Sequence, residues 1–400
     1  MEKAVITYER KLGVGLLVND LRIGGAERQL IELARGLDKS RFRVLVATLY
    51  SGQPLERELR HAPGVDLVSL ERKGKWDFGV VRRLALLLRD HEVGIIQPFL
   101  TPSTAFGLAA ALMARTPVKI VTERCGVRLN TSPGNKAYRF VEDRLTRFAD
   151  AVVPNSEAGR DYVLSRGISE DKVRVIYNGV APERSTCEPD DRNAVRALHG
   201  IRPDEPVVGI VASLTPAKDH ETFLLAASII RQHVPSTRFL IVGDGPLRER
   251  LEARAAELGL SGTAVFAGHR TQVAPYIGAM DVAVLSSCDH EGCSNFLLEA
   301  MGLSRPVVAT DVGGNRELFS SGEAGLFVEP GDAVAMATAT LRILTAPYLA
   351  EEFGARGRTV FERRFTLPTM VRAYENLYTA LWQEKSRSQK RDRVAAGDWR

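Results

Sequence analysis

The stretch His290-Glu291-Gly292-Cys293-Ser294-Asn295-Phe296-Leu297-Leu298-Glu299-Ala300-Met301 decides how the rest of the chain is read. Before it, Asp281-Val282-Ala283-Val284-Leu285-Ser286 is an apolar run with polar ends, the pattern of a short buried strand. Gly292 permits a tight turn, Ser294 is a good N-cap, and Asn295 to Met301 continues as a helix. The first N–H groups of such a helix have no internal acceptor, so an anion can sit against them. Two carboxylates bracket that seat. Glu291 lies in the loop, and Glu299 lies roughly 7 Å along the helix from the cap at about 1.5 Å per residue. A carboxylate beside a phosphate repels it, so each Glu reads better as an acceptor for hydroxyls that flank the phosphates. Hydroxyls on both sides of a diphosphate describe a nucleotide sugar. Taken alone, the two Glu residues would read as a solvated loop residue and a surface helix residue; Gly292, Ser294 and the next stretch reverse that.

The next stretch is Ser304-Arg305-Pro306-Val307-Val308-Ala309-Thr310-Asp311-Val312-Gly313-Gly314-Asn315, followed by Arg316 to Phe319. Pro306 to Thr310 is a short strand, Gly313-Gly314 a turn and Asn315 a cap. Glu291 and Glu299, with seven residues between them and this Gly/Ser/Asn filling, resemble the E-x7-E signature of the retaining family 4 glycosyltransferases, the group 1 glycosyltransferases of GT-B fold. The resemblance runs from about Val14 to Trp382 and is densest over 286–331.

The chain has 400 residues, enough for two or three domains, with 44% hydrophobic and 26% charged residues, ordinary for a globular protein. No apolar run is long enough for a membrane helix, and Met1 to Arg10 does not read as a signal peptide. Cys125, Cys187, Cys288 and Cys293 have no zinc spacing, which fits a reduced, cytoplasmic location. The net charge of +5 is uneven: +6 over 1–190, −4 over 191–380 and +3 over the last twenty residues. A basic first half suits anionic lipid head groups or a polyanionic acceptor, at about 1 kcal/mol per basic residue near such a surface. It also suits ordinary solvated helix faces. Nucleic acid is not expected, because no aromatic-interleaved basic motif accompanies the charge.

In the first half, Leu12 to Val18 is a strand, and Gly24-Gly25-Ala26-Glu27-Arg28 opens a helix to about Leu37. Gly24 and Gly25 let backbone approach a phosphate closely. Gly13-x-Gly15 lacks the third glycine of a dinucleotide loop. Strands at 43–49, 65–70 and 94–98, with a helix near 77–89, continue an α/β alternation that implies a parallel sheet covered by helices. A small-residue helix over 101–115 leads to strand Val118–Thr122, which ends in Glu123-Arg124-Cys125-Gly126. Many members of the family carry a His at this strand end, and this chain has none between residues 92 and 198. Arg124 can hold the leaving diphosphate, Glu123 can orient the acceptor hydroxyl, and the two can equally form an exposed pair at a strand tip. Asn130–Lys136 reads as a Pro/Gly flap on the acceptor side. Ala151–Pro154 and Val173–Tyr177 read as strands, Ser156 as a cap, and Pro182–Asp191 as polar and unstructured.

The second half repeats the grammar with strands at Val207–Ala212 and Arg238–Val242. Lys218, in the loop Ser213-Leu214-Thr215-Pro216-Ala217-Lys218, matches the family's Lys, which neutralises the leaving diphosphate. Ser213 stands where the family commonly has Arg. His269 and Arg270 lie at the strand exit where the family seats the nucleotide base, mostly through backbone. A helix with the apolar stripe Tyr374, Leu377, Tyr378 and Leu381 is expected, by resemblance, to cross back onto the first half.

The fold expected is α/β: two doubly wound Rossmann-like domains facing across a cleft, with ligands at the carboxyl ends of the strands. The expected divisions are an acceptor domain at 1–190, a nucleotide-sugar domain at 191–365, a returning helix at 366–384 and a disordered basic tail at 385–400. The resemblance implies retaining hexosyl transfer from a nucleoside-diphosphate sugar, UDP by frequency among relatives, to a lipid-linked or growing polysaccharide acceptor of the cell envelope. Glu291 would orient the sugar, Glu299 grip ribose, and Lys218 with the amides of Ser294, Asn295, Phe296 and Leu297 stabilise the diphosphate. No metal or resident cofactor is implied, since Lys218 and a helix N-terminus do a cation's work; Asp289-His290-Glu291 only imitates an acidic metal pair. Peripheral contact at the inner face of the cell membrane is an expected partnership. A nucleotide-sugar epimerase, a silent nucleotide-binding scaffold and, least, a nicotinamide oxidoreductase are the alternatives.

Overall fold

The computed structural model describes residues 11–74, 77–124, 133–289, 291–319 and 324–395. Twelve strands fall into two parallel sheets of six. The first holds β1 (Leu12–Val18), β2 (Phe42–Thr48), β3 (Val65–Ser69), β4 (Val93–Pro98), β5 (Val118–Glu123) and β6 (Ala151–Pro154), in the order β3-β2-β1-β4-β5-β6. The second holds β7 (Val207–Val211), β8 (Arg238–Val242), β9 (Ala264–Gly268), β10 (Val282–Leu285), β11 (Val307–Thr310) and β12 (Gly325–Val328), in the order β12-β11-β10-β7-β8-β9. Counted within each half, the order is the same doubly wound one, which places a topological switch between β1 and β4 and another between β7 and β10. Central strands such as β4 and β10 are buried along their whole length, which is why they read as continuous apolar runs rather than alternating ones. The GT-B architecture expected from the sequence is the one present.

The last helix, Leu367–Ala395, buries Met370, Val371, Tyr374 and Tyr378 in the core of the first half. The Tyr378 hydroxyl donates to Gln97 on β4, and Gln97 donates to Thr122 (3.0 Å). The chain returns at a short crossing, where Val180 N–H donates to Phe365 (2.9 Å) and Leu367 N–H to Val180 (3.0 Å).

Several local readings need correction. Pro182–Asp191 is not unstructured: helices run over Pro182–Ser185 and Pro189–Leu198, each opened by a proline at its first turn, where the missing N–H costs nothing. Asp190 and Asp191 then favour the positive end of the second helix. Val173–Tyr177 forms no strand; it makes a single bridge, Val173 to Val152. The basic end from Lys385 does not leave the structure: the helix continues to Ala395, in a stretch of good helix formers without Gly or Pro, and Lys385 pairs with Asp150 (2.6 Å). Of the expected Asn130–Lys136 flap, residues 130–132 lie outside the described residues and Pro133 already opens the helix Pro133–Thr146. His290, Cys125 and Gly126, Met1 to Arg10 and the tail beyond Ala395 also lie outside them.

Candidate active site

A cleft of about 590 Å³ lies between the two halves, lined from the second by the strand exits at Ser213, Gly243 and Leu285. These are the exits of β7, β8 and β10, on both sides of the second switch point. From the first half it is lined by Gly24 and Gly25 at the start of the Gly25–Gly36 helix, and by Arg124 and Asn155 at the ends of β5 and β6. Two helix N-termini therefore meet in it, Gly25–Gly36 and Asn295–Gly302. In the second of these the Leu298 N–H donates to Ser294 (3.2 Å), so the amides before it have no helical acceptor. Ser294 occupies the N-cap position, but its hydroxyl makes no capping bond.

Asn295 ties the two helices together. Its Nδ2 donates to the Gly25 carbonyl (3.3 Å), and its Oδ1 accepts from Gln29 (3.1 Å) and Asn178 (2.8 Å). Asn178 also donates to the Cys293 carbonyl (2.7 Å). Close backbone approach explains the glycines. A Cβ on Gly292 would stand 2.3 Å from Asn155 Oδ1 and 2.9 Å from the Arg124 carbonyl. Gly313, at φ +53°, would put a Cβ 2.0 Å from the Glu291 carbonyl, and the Gly314 N–H donates to that same carbonyl (2.9 Å). The Gly-Gly turn is thus the floor on which the Glu291 loop rests.

Lys218 and Glu291 meet across 73 positions: Lys218 Nζ donates to Glu291 Oε1, which also accepts from Ser287 Oγ (2.5 Å). Ser286 Oγ bonds the Lys218 carbonyl (2.8 Å), fixing the loop that carries the cation. Beside Lys218, His220 is buried with neither ring nitrogen hydrogen-bonded, and burial, then the Lys218 charge, push its pKa down to about 4. The unfolded chain therefore binds more protons between pH 4 and 6.5, and this group's stabilising effect is lost as pH falls through that window. Lowering the pH from 7 to 5 is expected to cost about 2 kcal/mol through His220. Urea melts of wild type and His220→Leu check this; the variant should lose that share of the pH slope, and equal slopes would count against it.

Glu299, also lining the cleft, is buried; its Oε1 accepts from Arg184 Nε (2.8 Å) and lies 2.6 Å from Nη2 in the same ion pair. Burial pushes the Glu299 carboxyl up, and Arg184 and Arg28 oppose that. His269 and Arg270 line the cleft with exposed side chains, and Arg270 lies over the Tyr276 ring. Phe296 lines it too, whereas the Leu297 side chain is fully buried in the second core.

Two residues stand differently from their sequence reading. Arg124 lines the cleft, but its guanidinium is committed to Asn178 Oδ1 (2.6 Å) and the Tyr374 hydroxyl (3.2 Å) and stacks over Phe99. Glu123 does not line the cleft: at the end of β5 its carboxylate accepts from the Arg124 N–H (3.1 Å) and pairs with Arg166 (3.3 Å). Ser213 is at the cleft, exposed and without charge; the cations brought there are Arg28, Arg124, Arg184, Lys218 and Arg270. The sequence reading missed Arg184, Asn178, Gln29 and Asn155. Among the described residues no group of three or more His, Cys, Asp or Glu side chains comes together as a metal site.

Two doubly wound halves facing across a cleft at the second switch point define a protein of GT-B architecture. Comparison with known proteins agrees. Residues 23–184 match the model described as Glycosyltransferase Family 4, and 205–346 the model described as Glycosyl transferases group 1. The chain belongs to the family 4, group 1 glycosyltransferases. It is 34% identical to the GDP-mannose-dependent alpha-(1-6)-phosphatidylinositol monomannoside mannosyltransferase of Mycolicibacterium smegmatis, over 70% of this chain and 74% of that one. It is 30% identical to the lipopolysaccharide core biosynthesis glycosyltransferase LpsE of Rhizobium meliloti over 58% of this chain; there it spans 66% of the relative, just under two thirds of its length. The crystal structure of Anabaena Alr3699/HepE in complex with UDP-glucose superposes with a TM-score of 0.81 at 23% identity, over 92% of this chain and 100% of that one.

Proposed function

We propose that the chain is a retaining glycosyltransferase that moves a hexose from a nucleoside-diphosphate sugar to a lipid-linked or growing polysaccharide acceptor in cell-envelope glycan synthesis. The observation that carries this is one cleft lined by the Lys218–Glu291 pair, two helix N-termini and the buried Glu299. The diphosphate lies against the amides of Ser294 to Leu297 and Lys218, which is drawn from Glu291 to the phosphate as the donor binds. Glu291, released, accepts from the sugar hydroxyls, and Glu299 accepts from the ribose. As the bond from the anomeric carbon to the diphosphate breaks, the charge gathering on the leaving oxygen meets Lys218 and the helix ends. The acceptor hydroxyl enters on the same face and gives its proton to that departing phosphate oxygen, so the configuration is kept without a lasting covalent intermediate. In this reading Lys218 and the helix ends supply the positive charge, so neither metal nor resident cofactor takes part. The donor rests on the 191–365 half and the acceptor on the 1–190 half.

The relative that acts on a phosphatidylinositol mannoside supports a lipid-linked acceptor. The neighbour holding UDP-glucose supports a UDP-sugar, and the GDP-mannose-dependent relative makes GDP the second donor to try. No single described helix is long and apolar enough to cross a membrane. The helices Gly79–Asp90, Ser103–Ala114 and Pro133–Thr146 leave Leu86, Leu112, Met113, Phe140 and Val141 exposed, with Arg89, Arg115 and Arg144 on the same elements or at their ends. That mixture suits peripheral contact with an anionic bilayer. The protein is expected to float with vesicles containing phosphatidylglycerol and to be released by 0.5 M salt, roughly a Debye length of 4 Å. Binding to neutral vesicles alone, or to none, would remove the membrane from the reading. Transfer itself is tested with UDP- and GDP-hexoses and a prenyl-diphosphate saccharide, following nucleoside-diphosphate release and the anomeric configuration of the product, with and without EDTA. Retention, and release that EDTA leaves unchanged, are expected; inversion, or sugar products formed without an acceptor, would overturn the reading.

A further inference from the structure

The short helix Pro182–Ser185 carries Arg184 to the deep end of the cleft, and its placement is built rather than incidental. Just before it, Gln29 holds both sides of the Gly179 backbone, donating to its carbonyl (2.9 Å) and accepting from its N–H (3.1 Å). Just after it, Ser185 lies so close to the Asn295–Gly302 helix that a Cβ on Gly302 would stand 2.7 Å from the Ser185 Cβ. From that fixed base the Arg184 guanidinium reaches Glu299 with two nitrogens, both on Oε1, and the Thr271 carbonyl with the third (3.3 Å). Glu299 Oε2 accepts from no described residue, and Glu299 lines the cleft.

We propose that Arg184 is a positioning residue for donor recognition: it pins Oε1 of Glu299 so that Oε2 faces the cleft as acceptor for the ribose hydroxyls. The inference rests on the donor-site reading above and adds a residue to it. A carboxylate takes two hydroxyl donors better than a carboxylic acid does, because the acid has spent one oxygen on its own proton. A carboxyl this buried is pushed toward the neutral form, and Arg184 is the group in contact that opposes it. The other charged groups around Glu299 do not replace Arg184. Arg28, on the Gly25–Gly36 helix, is bonded through two nitrogens to Glu58 (2.5 and 2.9 Å). Arg358, on the Pro347–Arg364 helix, bonds the Gly302 carbonyl at the far end of Glu299's own helix. His269 and Arg270, before the Ala274–Gly278 helix, are exposed, and Arg270 lies over Tyr276. Glu183 and Glu32 add negative charge near Arg184, which can only favour protonation of Glu299 once Arg184 is gone.

The test is the affinity for UDP and GDP by calorimetry from pH 5.5 to 8.5, on wild type, Arg184→Gln, Arg184→Lys and Glu299→Gln. Wild type is expected to bind one of the two with a profile set by the nucleotide's own terminal phosphate, whose second pKa is about 6. Relative to wild type, R184Q should lose about a further tenfold in affinity from pH 8 to pH 6, the scale of one lost charge-assisted bond. R184K should recover most of that affinity, and E299Q should be weak at every pH. An R184Q profile parallel to the wild type, whether weaker or not, would overturn the role of Arg184 alone. If wild type binds neither nucleotide at any pH, the donor-site reading falls and this inference falls with it.

Discussion

A Lys218→Ala enzyme is expected to transfer sugar about 10² to 10³-fold more slowly than wild type, the usual cost of removing one preorganised charge from a leaving group. Asp219, at φ +42°, turns the chain between Lys218 and the His220–His233 helix, and its carboxylate caps that helix by accepting from Thr222 N–H (3.2 Å). Ser286 anchors the Lys218 carbonyl, so the ammonium is delivered to one place, the loop between β10 and the Asn295–Gly302 helix. It rests on Glu291, and a diphosphate offers it more negative charge. The loss should therefore fall mainly on kcat, because charge on the leaving oxygen is greatest in the transition state. Stability should hardly change. The Lys218 side chain is about a quarter exposed, at 26%, and Glu291 keeps its bond from Ser287. Steady-state kinetics beside a thermal melt checks both parts. Unaltered turnover would show that Lys218 only buttresses Glu291.

Replacing Gly313 by valine is expected to remove roughly 2–5 kcal/mol of stability and to leave little activity in what still folds. Two costs add. The backbone there is left-handed at φ +53°, where a β-branched side chain is least tolerated, and the new Cβ would fall 2.0 Å from the Glu291 carbonyl. The clash is with backbone, so no rotamer relieves it. The Glu291 loop must lift, taking the carboxylate away from Ser287 and Lys218. Urea denaturation and turnover of the folded fraction measure the two effects separately. A Gly313→Val enzyme with normal kcat would contradict the view that this turn sets the position of Glu291.

How much of this was legible beforehand follows the range of each interaction. The strand, turn and helix around Glu291 and Glu299 are local, and Gly292, Ser294 and Gly313-Gly314 announce them within a few residues. The repeated α/β alternation was equally plain, because buried parallel strands are short apolar runs wherever they occur. Arg184 was not legible. Its partner lies 115 positions away, and it sits in a polar stretch read as unstructured, whose prolines open two helices. Gln29, which reaches Asn295 across 266 positions, left no signal in periodicity at all. For Arg124 the strand end was visible, but the destination of the guanidinium was settled by Tyr374 from the last helix. Glu123 was read as orienting the acceptor hydroxyl, and its carboxylate is taken instead by Arg166, 43 positions along the chain.

The claim on which everything else depends is that the second half holds a nucleoside-diphosphate sugar between Lys218 and Glu299. Thermal melts with UDP-, GDP- and ADP-hexoses, with and without EDTA, on wild type and Glu299→Ala, test it most directly. One donor at a hundredfold over its Kd should stabilise the wild type by about 2.7 kcal/mol, keep that effect in EDTA and lose it in the variant. A wild-type melt that no nucleotide sugar shifts, or an equal shift in Glu299→Ala, would contradict the site described.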